Sequence, residues 1–506
     1  MLFNSYLFLF VFLPVTCAGF FVIGRCSRPV AAGWLALASL AFYAWWDIRF
    51  VPILIGSVLW NFAAGLVILH LRRRGQIRMS LVALAVGVGT DLAVLGYFKY
   101  VNFFIETANN ALGTTLSPLA VILPLGISFF TFTQIAFLVD TVRTEVEEYN
   151  FVHYVLFVTY FPHLIAGPIL HHREMMPQFA DRRTYAPSFD SFAVGIAYFA
   201  IGLVKKCLVA DGFAPDATAV FNAAAQGHTL GALDAWKGAI AYTLQLYFDF
   251  SGYVDMAIGL SAMFGIRLPL NFNSPYKAAS IVEFWRRWHM TLSRFLRDYL
   301  YVSLGGNRKG PARRHINLML TMLLGGLWHG AAWTFVVWGG LHGIYLVINH
   351  TWAAIKPKAI LSQVPATLRH AFSVAVTFLA VVLAWVFFRA ADLHAALAML
   401  AAMSGWNGLG WPSPSVPTDI ELLLLTLRLP SYVITWKFLL TYPVALFVVF
   451  ALPNSQQLVE PERFGRSARV PFAWKPNIAW AVVMAVGVSA CVLLFASASE
   501  FLYFQF

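Results

Sequence analysis

Apolar runs long enough to cross a bilayer recur from one end of the chain to the other, and no other feature narrows the fold so far. About 20 consecutive apolar residues span a hydrocarbon core. Such runs fall near residues 3–23, 30–46, 50–70, 79–98, 119–139, 151–170, 190–210, 236–264, 316–349, 370–388, 432–452 and 476–497. The 316–349 run is long enough for two helices. Of the 506 residues, 60% are apolar and only 11% charged, against roughly 25% charged in a soluble domain, so a water-soluble globule is excluded. The expected fold is all-α, a polytopic transmembrane helical bundle of about a dozen spans. Some spans are expected to be re-entrant or broken, and residues 1–506 to form a single domain.

The formal net charge of +12 does not point to nucleic acid, because the basic residues gather in short loops between spans. Arg72, Arg73, Arg74 and Arg78 form one such cluster, and Arg308, Lys309, Arg313 and Arg314 another. This is the bias of cytoplasmic loops, and the partner it implies is the lipid bilayer. With Arg25, Arg28 and residues 72–78 inside, the N-terminus and the loop over 102–117 lie outside. The basic segment Arg463, Arg466, Arg469 and Lys475 is then cytoplasmic, and a last helix from Pro476 carries the tail 497–506 to the outer face. The opening residues show neither a basic n-region nor an A-x-A cleavage site, which reads as a retained span. Cys17, Cys26, Cys207 and Cys491 make no C-x-x-C or histidine-paired pattern and read as buried thiols, and metal chemistry finds no support.

Between the spans, residues 277–315 mix aromatic and basic side chains. Read as one helix from Ile281 to Tyr301, they place Phe284, Trp285, Trp288, Leu292, Phe295, Leu296 and Leu300 along one side, interrupted by Arg286, Arg287, Arg294, Arg297 and Asp298. Such a helix lies in the membrane interface or packs into the protein beside a polar cavity.

Ionisable groups at membrane depth are costly unless they face protein or water. Asp91, Asp140, Asp249, Asp255, His289, His329 and His342 therefore need a reason. His329 lies in an uncharged run among Gly325, Gly326, Gly330, Trp328 and Trp333. Glycines admit a backbone or a substrate closely, and an imidazole is a natural proton acceptor for a hydroxyl nucleophile. The alternative is a histidine that only bonds a neighbouring helix, which is the expected role of His342. His289 stands beside Arg286 and Arg287, a guanidinium pair suited to a phosphate-bearing donor or to lipid headgroups. Asp249 and Asp255 bracket Ser251 and Gly252. They are candidates to bind a cation, to orient an imidazole, or to neutralise arginines of the 283–297 segment.

Five strings together resemble the membrane-bound O-acyltransferase family: LPLGISFFTFTQIAFLVDTVR (123–143), FPHLIAGPI (161–169), LYFDFSGYVDMAIG (246–259), NFNSPYKAASIVEFWRRWHMTLSRFLRDYLYVSLGGNRKG (271–310) and MLLGGLWHGAAWT (322–334). The likeness is strongest to the bacterial branch that acetylates secreted polysaccharides such as alginate, and it runs from the first span through AWVFFRA (384–390) to the end. It implies helices around a central funnel, with core motifs over 123–345 and a C-terminal helix and periplasmic tail over 476–506. It implies His329, in GLWHG, as the catalytic histidine and His289, in WHMTL, as a second one. Thr291 replaces the motif's serine and keeps the hydroxyl, whereas Val254 replaces a serine and loses it.

The ending Phe501-Leu502-Tyr503-Phe504-Gln505-Phe506 fits an F-x-Y-x-x-F pattern which, in relatives acting on cell-envelope polymers, is implicated in carrying the acyl group on its tyrosine. The implied reaction uses acetyl-CoA or another acetyl thioester as donor substrate, with no tightly bound cofactor. The donor enters from the cytoplasm near Arg286, Arg287 and Arg308, His329 is the general base, and Tyr503 hands the acetyl group to a periplasmic acetyltransferase partner. The implied location is the cell inner membrane, with both termini periplasmic. Cellulose, peptidoglycan or another exopolysaccharide is an alternative acceptor. A polysaccharide transporter, the rival of another class, would show internal repeats, and none is visible.

Overall fold

The structure, a computed structural model, describes residues 1–143, 146, 149–355, 363–410, 438–464, 470, 472–495 and 501–502. Among the described residues all regular structure is helical, as the apolar periodicity requires. Five helical stretches are long and apolar enough to cross a membrane: Phe8–Cys26, Ile48–Arg73, Ile77–Leu112, Phe189–Ala225 and Ala366–Arg389. Shorter apolar helices cover Ile127–Val142, Leu393–Met403, Leu439–Ala451 and Ile478–Leu493. The protein is an integral membrane protein.

By packing, the chain divides into two units, Met1–Ala200 with Tyr253–Pro269, and Ile201–Gly252 with Leu270–Phe506. The first unit holds α1 (Leu13–Cys26), α2 (Arg28–Ala44), α3 (Val51–Arg73), α4 (Ile77–Leu95), α5 (Val101–Leu112), α6 (Ile127–Val142), α7 (Phe151–Thr159) and α8 (His172–Ala180). It also takes most of α9 (Phe189–Val204). Proline in the first turn of α2 fits where the helix has no N–H to satisfy. Its core is aromatic: the Phe3 ring lies 5.1 Å from Phe8 and 5.7 Å from Phe42, and Phe42 lies 5.5 Å from Phe161. Its buried charges are matched locally. Asp91 accepts from Asn61 Nδ2 at 2.8 Å across α3 and α4, and Asp140 faces His172 Nδ1 at 3.2 Å.

Two expected spans and one expected loop change here. The 119–139 run becomes helix only at Ile127, because Pro118 and Pro124 interrupt it and Gly126 takes φ +73. The 151–170 run stops as helix at Thr159, since Pro162, Gly167 and Pro168 follow. The irregular stretch after it is buried throughout residues 160–170, the condition under which non-helical backbone is tolerated at membrane depth. The supposed loop over 102–117 carries α5 instead, ended by Gly113 at φ +66.

The second unit holds the end of α9, a π-helical turn Lys205–Ala210, α10 (Asp211–Ala225) and most of α11 (Ala232–Met263). The short helices α12 (Ile281–Trp285) and α13 (Met290–Phe295) follow, then α14 (Gly310–His329), α15 (Trp333–Ile355), α16 (Ala366–Arg389) and α17 (Leu393–Met403). The last helices are α18 (Phe438–Ala451), α19 (Ser455–Val459) and α20 (Ile478–Leu493). The 316–349 run does split in two. Their contact is made by glycine: a Cβ on Gly326 would strike the Phe335 carbonyl, and one on Gly339 the Met322 carbonyl.

The segment 281–301 is not one helix. It breaks after Trp285 and resumes at Met290, with His289 at φ +43 between. Phe284, Trp285, Trp288, Leu292, Phe295 and Leu296 are all buried, so this segment packs into the protein and does not lie in the interface. Arg466, Arg469 and Tyr503 lie outside the described residues.

Candidate active site

Two different backbone devices place the two candidate histidines. His329 is the last residue of α14, where Gly330 turns extended (φ −159, ψ 150) and ends the helix. A Cβ on Gly330 would run into the Phe335 ring, so a larger residue there must displace that ring. The imidazole of His329 is 5% exposed. Its walls are aromatic, with the ring centroids of Trp328, Trp338 and Phe388 at 5.0, 5.0 and 5.2 Å.

His289 precedes α13 in the left-handed region, φ +43 and ψ 54, which costs a residue with a Cβ about 1–2 kcal/mol. Its side chain is fully buried (0% exposed) and held by Asn271. The Asn271 Oδ1 atom accepts from Thr291 N–H at 3.1 Å and from the Thr291 hydroxyl at 2.8 Å, and lies 3.2 Å from His289 Nδ1. An amide oxygen only accepts. The proton of the neutral ring therefore sits on Nδ1 and the lone pair on Nε2. The Asn271 carbonyl further accepts from Met290 N–H at 2.9 Å, so one loop residue fixes both the backbone turn and the tautomer.

The structure brings the two imidazoles together, their centroids 6.4 Å apart. Phe250 of α11 meets His289 edge-on at 4.8 Å. A reacting carbonyl within about 3–3.5 Å of each ring bridges such a gap. Both imidazoles are buried, and aromatic rings wall the space around His329.

The other candidates fall in different places. Arg287 Nη2 lies 2.6 Å from Glu283 Oε1 in an i,i+4 pair, and its Nη1 reaches the Asn273 carbonyl at 3.4 Å. Arg286 and Arg308 are exposed. His342 is not the helix-bonding residue expected: among the described residues neither ring nitrogen has a hydrogen-bond partner. It sits in an aromatic cage, with Trp338 at 4.8 Å, Trp285 at 5.1 Å and Tyr345 at 5.7 Å. Asp249 pairs with a lysine, Lys206, and not with an arginine of the 283–297 segment. Asn271 and Phe388 escaped the sequence reading, although NFNSPYK and AWVFFRA, the strings that hold them, were the available signals.

Residues 125–391 match the sequence model of MBOAT, the membrane-bound O-acyltransferase family, a stretch that includes Asn271, His289, His329 and Phe388. The chain is 39% identical to the peptidoglycan O-acetyltransferase of Helicobacter pylori, over 100% of this chain and 98% of that one. It is 40% identical to the probable alginate O-acetylase AlgI of Pseudomonas putida, over 100% of both chains. To the probable alginate O-acetylase AlgI of Pseudomonas aeruginosa it is 44% identical over 80% of this chain and 75% of that one. A match of this extent, on a helical membrane protein with two buried histidines facing one site, makes the chain an acyltransferase that belongs to the membrane-bound O-acyltransferase family.

Proposed function

We propose that this enzyme moves acetyl groups across the cell inner membrane for O-acetylation of a secreted polysaccharide, with alginate as acceptor. The observation that carries the reading is the buried pair His289 and His329, 6.4 Å apart in an aromatic-walled site inside the family-matched stretch. A phosphate-bearing donor cannot enter hydrocarbon; only the acetyl group need pass.

In this scheme acetyl-CoA or another acetyl thioester is the donor substrate and approaches from the cytoplasmic side past Arg286, Arg287 and Arg308, cations suited to phosphate. His329 takes the proton of an attacking hydroxyl, the phenol of Tyr503, as its oxygen bonds to the acetyl carbon. The C–S bond breaks, and the proton returns from His329 to the departing sulfur. His289, fixed by Asn271, lines the other side of the site and positions the thioester. A periplasmic acetyltransferase partner then lets a polymer hydroxyl displace the phenol, which regenerates Tyr503. Both termini are on the periplasmic side, and residues 1–506 act as one domain. Peptidoglycan is the second reading of the acceptor, favoured by the Helicobacter pylori relative.

The test is polymer-bound acetate in cells carrying His329→Ala. The expected result is acetate at background with wild-type amounts of enzyme in the membrane, and undiminished acetate overturns the base assignment. Expression in hosts that make either alginate or acetylated peptidoglycan decides the acceptor.

A further inference from the structure

Among the buried ionic clusters the mechanism leaves unused, one holds the end of the chain. Lys206, 1% exposed, lies in the π-helical turn Lys205–Ala210 that joins α9 to α10, and such turns often accompany functional sites. Its Nζ is 2.8 Å from Asp211 Oδ1 and 2.8 Å from Asp249 Oδ1. Asp249 of α11 is itself 2% exposed. Charges at this depth are costly and persist where they have work to do.

What they hold is the end of the chain. Asp249 Oδ2, the carboxylate oxygen turned away from the lysine, accepts the main-chain N–H of Leu502 at 3.1 Å. The ammonium of Lys206 stands 5.0 Å from the centroid of the Phe501 ring, a cation–π geometry. Phe501 and Leu502 are both buried. The last helix also runs close by: a Cβ on Gly487 of α20 would meet Val204, the residue just before the turn, at 3.0 Å.

We propose that Lys206 and Asp249 are positioning residues that form a docking site for the chain's own C-terminal tail. They grip it through the Phe501 ring and the Leu502 amide, which fixes the register of the tail at those two residues. This rests on the reading of Tyr503 as acyl carrier. The grip is close to the chemistry, because Asp249 is followed on α11 by Phe250, whose ring packs on His289 at 4.8 Å. A main-chain hydrogen bond sets register where a side-chain contact sets identity, and an acyl carrier needs register. Lys206 needs both carboxylates to be held at depth, and Asp249 needs a second donor for its outer oxygen; the tail supplies that donor.

Hydrogen exchange of the full-length enzyme in detergent tests the docking without reference to chemistry. Leu502→Pro removes the donated hydrogen and leaves both buried charges intact, whereas Asp249→Asn removes the charge and keeps an acceptor. The amides of the peptide over 501–506 are expected to exchange about 10- to 100-fold faster in Leu502→Pro, the factor that a hydrogen bond to a charged group is worth. In Asp249→Asn the increase is smaller. From labelled acetyl-CoA, acetate on Tyr503 is expected to fall in the same order while the donor's KM stays at the wild-type value, a split that general unfolding would not give. Unchanged exchange in both variants overturns the docking site. Faster exchange with no acetate ever found on wild-type Tyr503 keeps the docking site and removes the carrier reading instead.

Discussion

His289 keeps a left-handed backbone although its Cβ makes that region unfavourable, and the return is the place where the imidazole ends up. Two substitutions separate cost from use. His289→Gly and His289→Ala both lose the ring and are expected to lose acyl transfer, but glycine also relieves the backbone. The glycine variant should therefore be more stable than the alanine variant by about 1 kcal/mol, read as a higher unfolding temperature of the purified protein. Asn271→Leu strands the Thr291 N–H and hydroxyl and His289 Nδ1 in a buried place, which costs about 1–3 kcal/mol for each unsatisfied group. It should lower transfer at least tenfold, while Thr291→Ser, which keeps the hydroxyl bonded to Asn271 at 2.8 Å, should stay close to wild type. His329 was legible in the sequence because a histidine among glycines and tryptophans in an uncharged run is conspicuous by itself. Asn271 was not, since its importance lies in a contact made 18 residues away and an asparagine in a polar stretch carries no mark of it.

Helix α14 ends in His329, and α15, which supplies Trp338 to its wall, can lie against α14 only because two glycines face each other across the contact. The Cα of Gly339 is 3.0 Å from where a Gly326 Cβ would be. Gly326→Val or Gly339→Val should push the helices apart, destabilise by about 1–3 kcal/mol and reduce activity. Gly33→Ala and Gly56→Ala, where a Cβ meets nothing within 4 Å, are the helix-interior controls and should be neutral or stabilising by about 0.5–1 kcal/mol. Thermal unfolding in detergent ranks the four. At this scale hydropathy located the long helices, and the pair over 316–349 was foreseen. It misplaced the start of α6 and the end of α7, and it overlooked α5. The reason is that hydropathy measures burial, and the stretch 160–170 is buried without being helical. Segment 281–301 misled for the opposite reason: its helical period is real, but the strained turn at His289 cuts it.

For the molecule as a whole, the basic loops dictate an orientation that labelling can check. Cys26 is exposed, so Cys26→Ser is the starting background. A membrane-impermeant maleimide applied from outside should reach Thr115→Cys, in the exposed stretch after α5, and should reach Arg74→Cys only after permeabilisation; the reverse pattern overturns the assigned topology. Charge distribution yields that expected orientation from residue order alone. The contact of the chain's end with Lys206 and Asp249 was not readable, because Leu502 and Asp249 are 253 positions apart and the bond runs through a backbone atom that every sequence shares.

That anonymity has a practical side. Every amino acid except proline owns the hydrogen that Asp249 accepts from Leu502, so that bond survives any substitution at position 502 whose side chain fits the buried space Leu502 fills. On the proposed docking, an ending from a related enzyme, or a short grafted peptide bearing a nucleophile other than a phenol, would use the same anchorage with no change to the residues around His289 and His329.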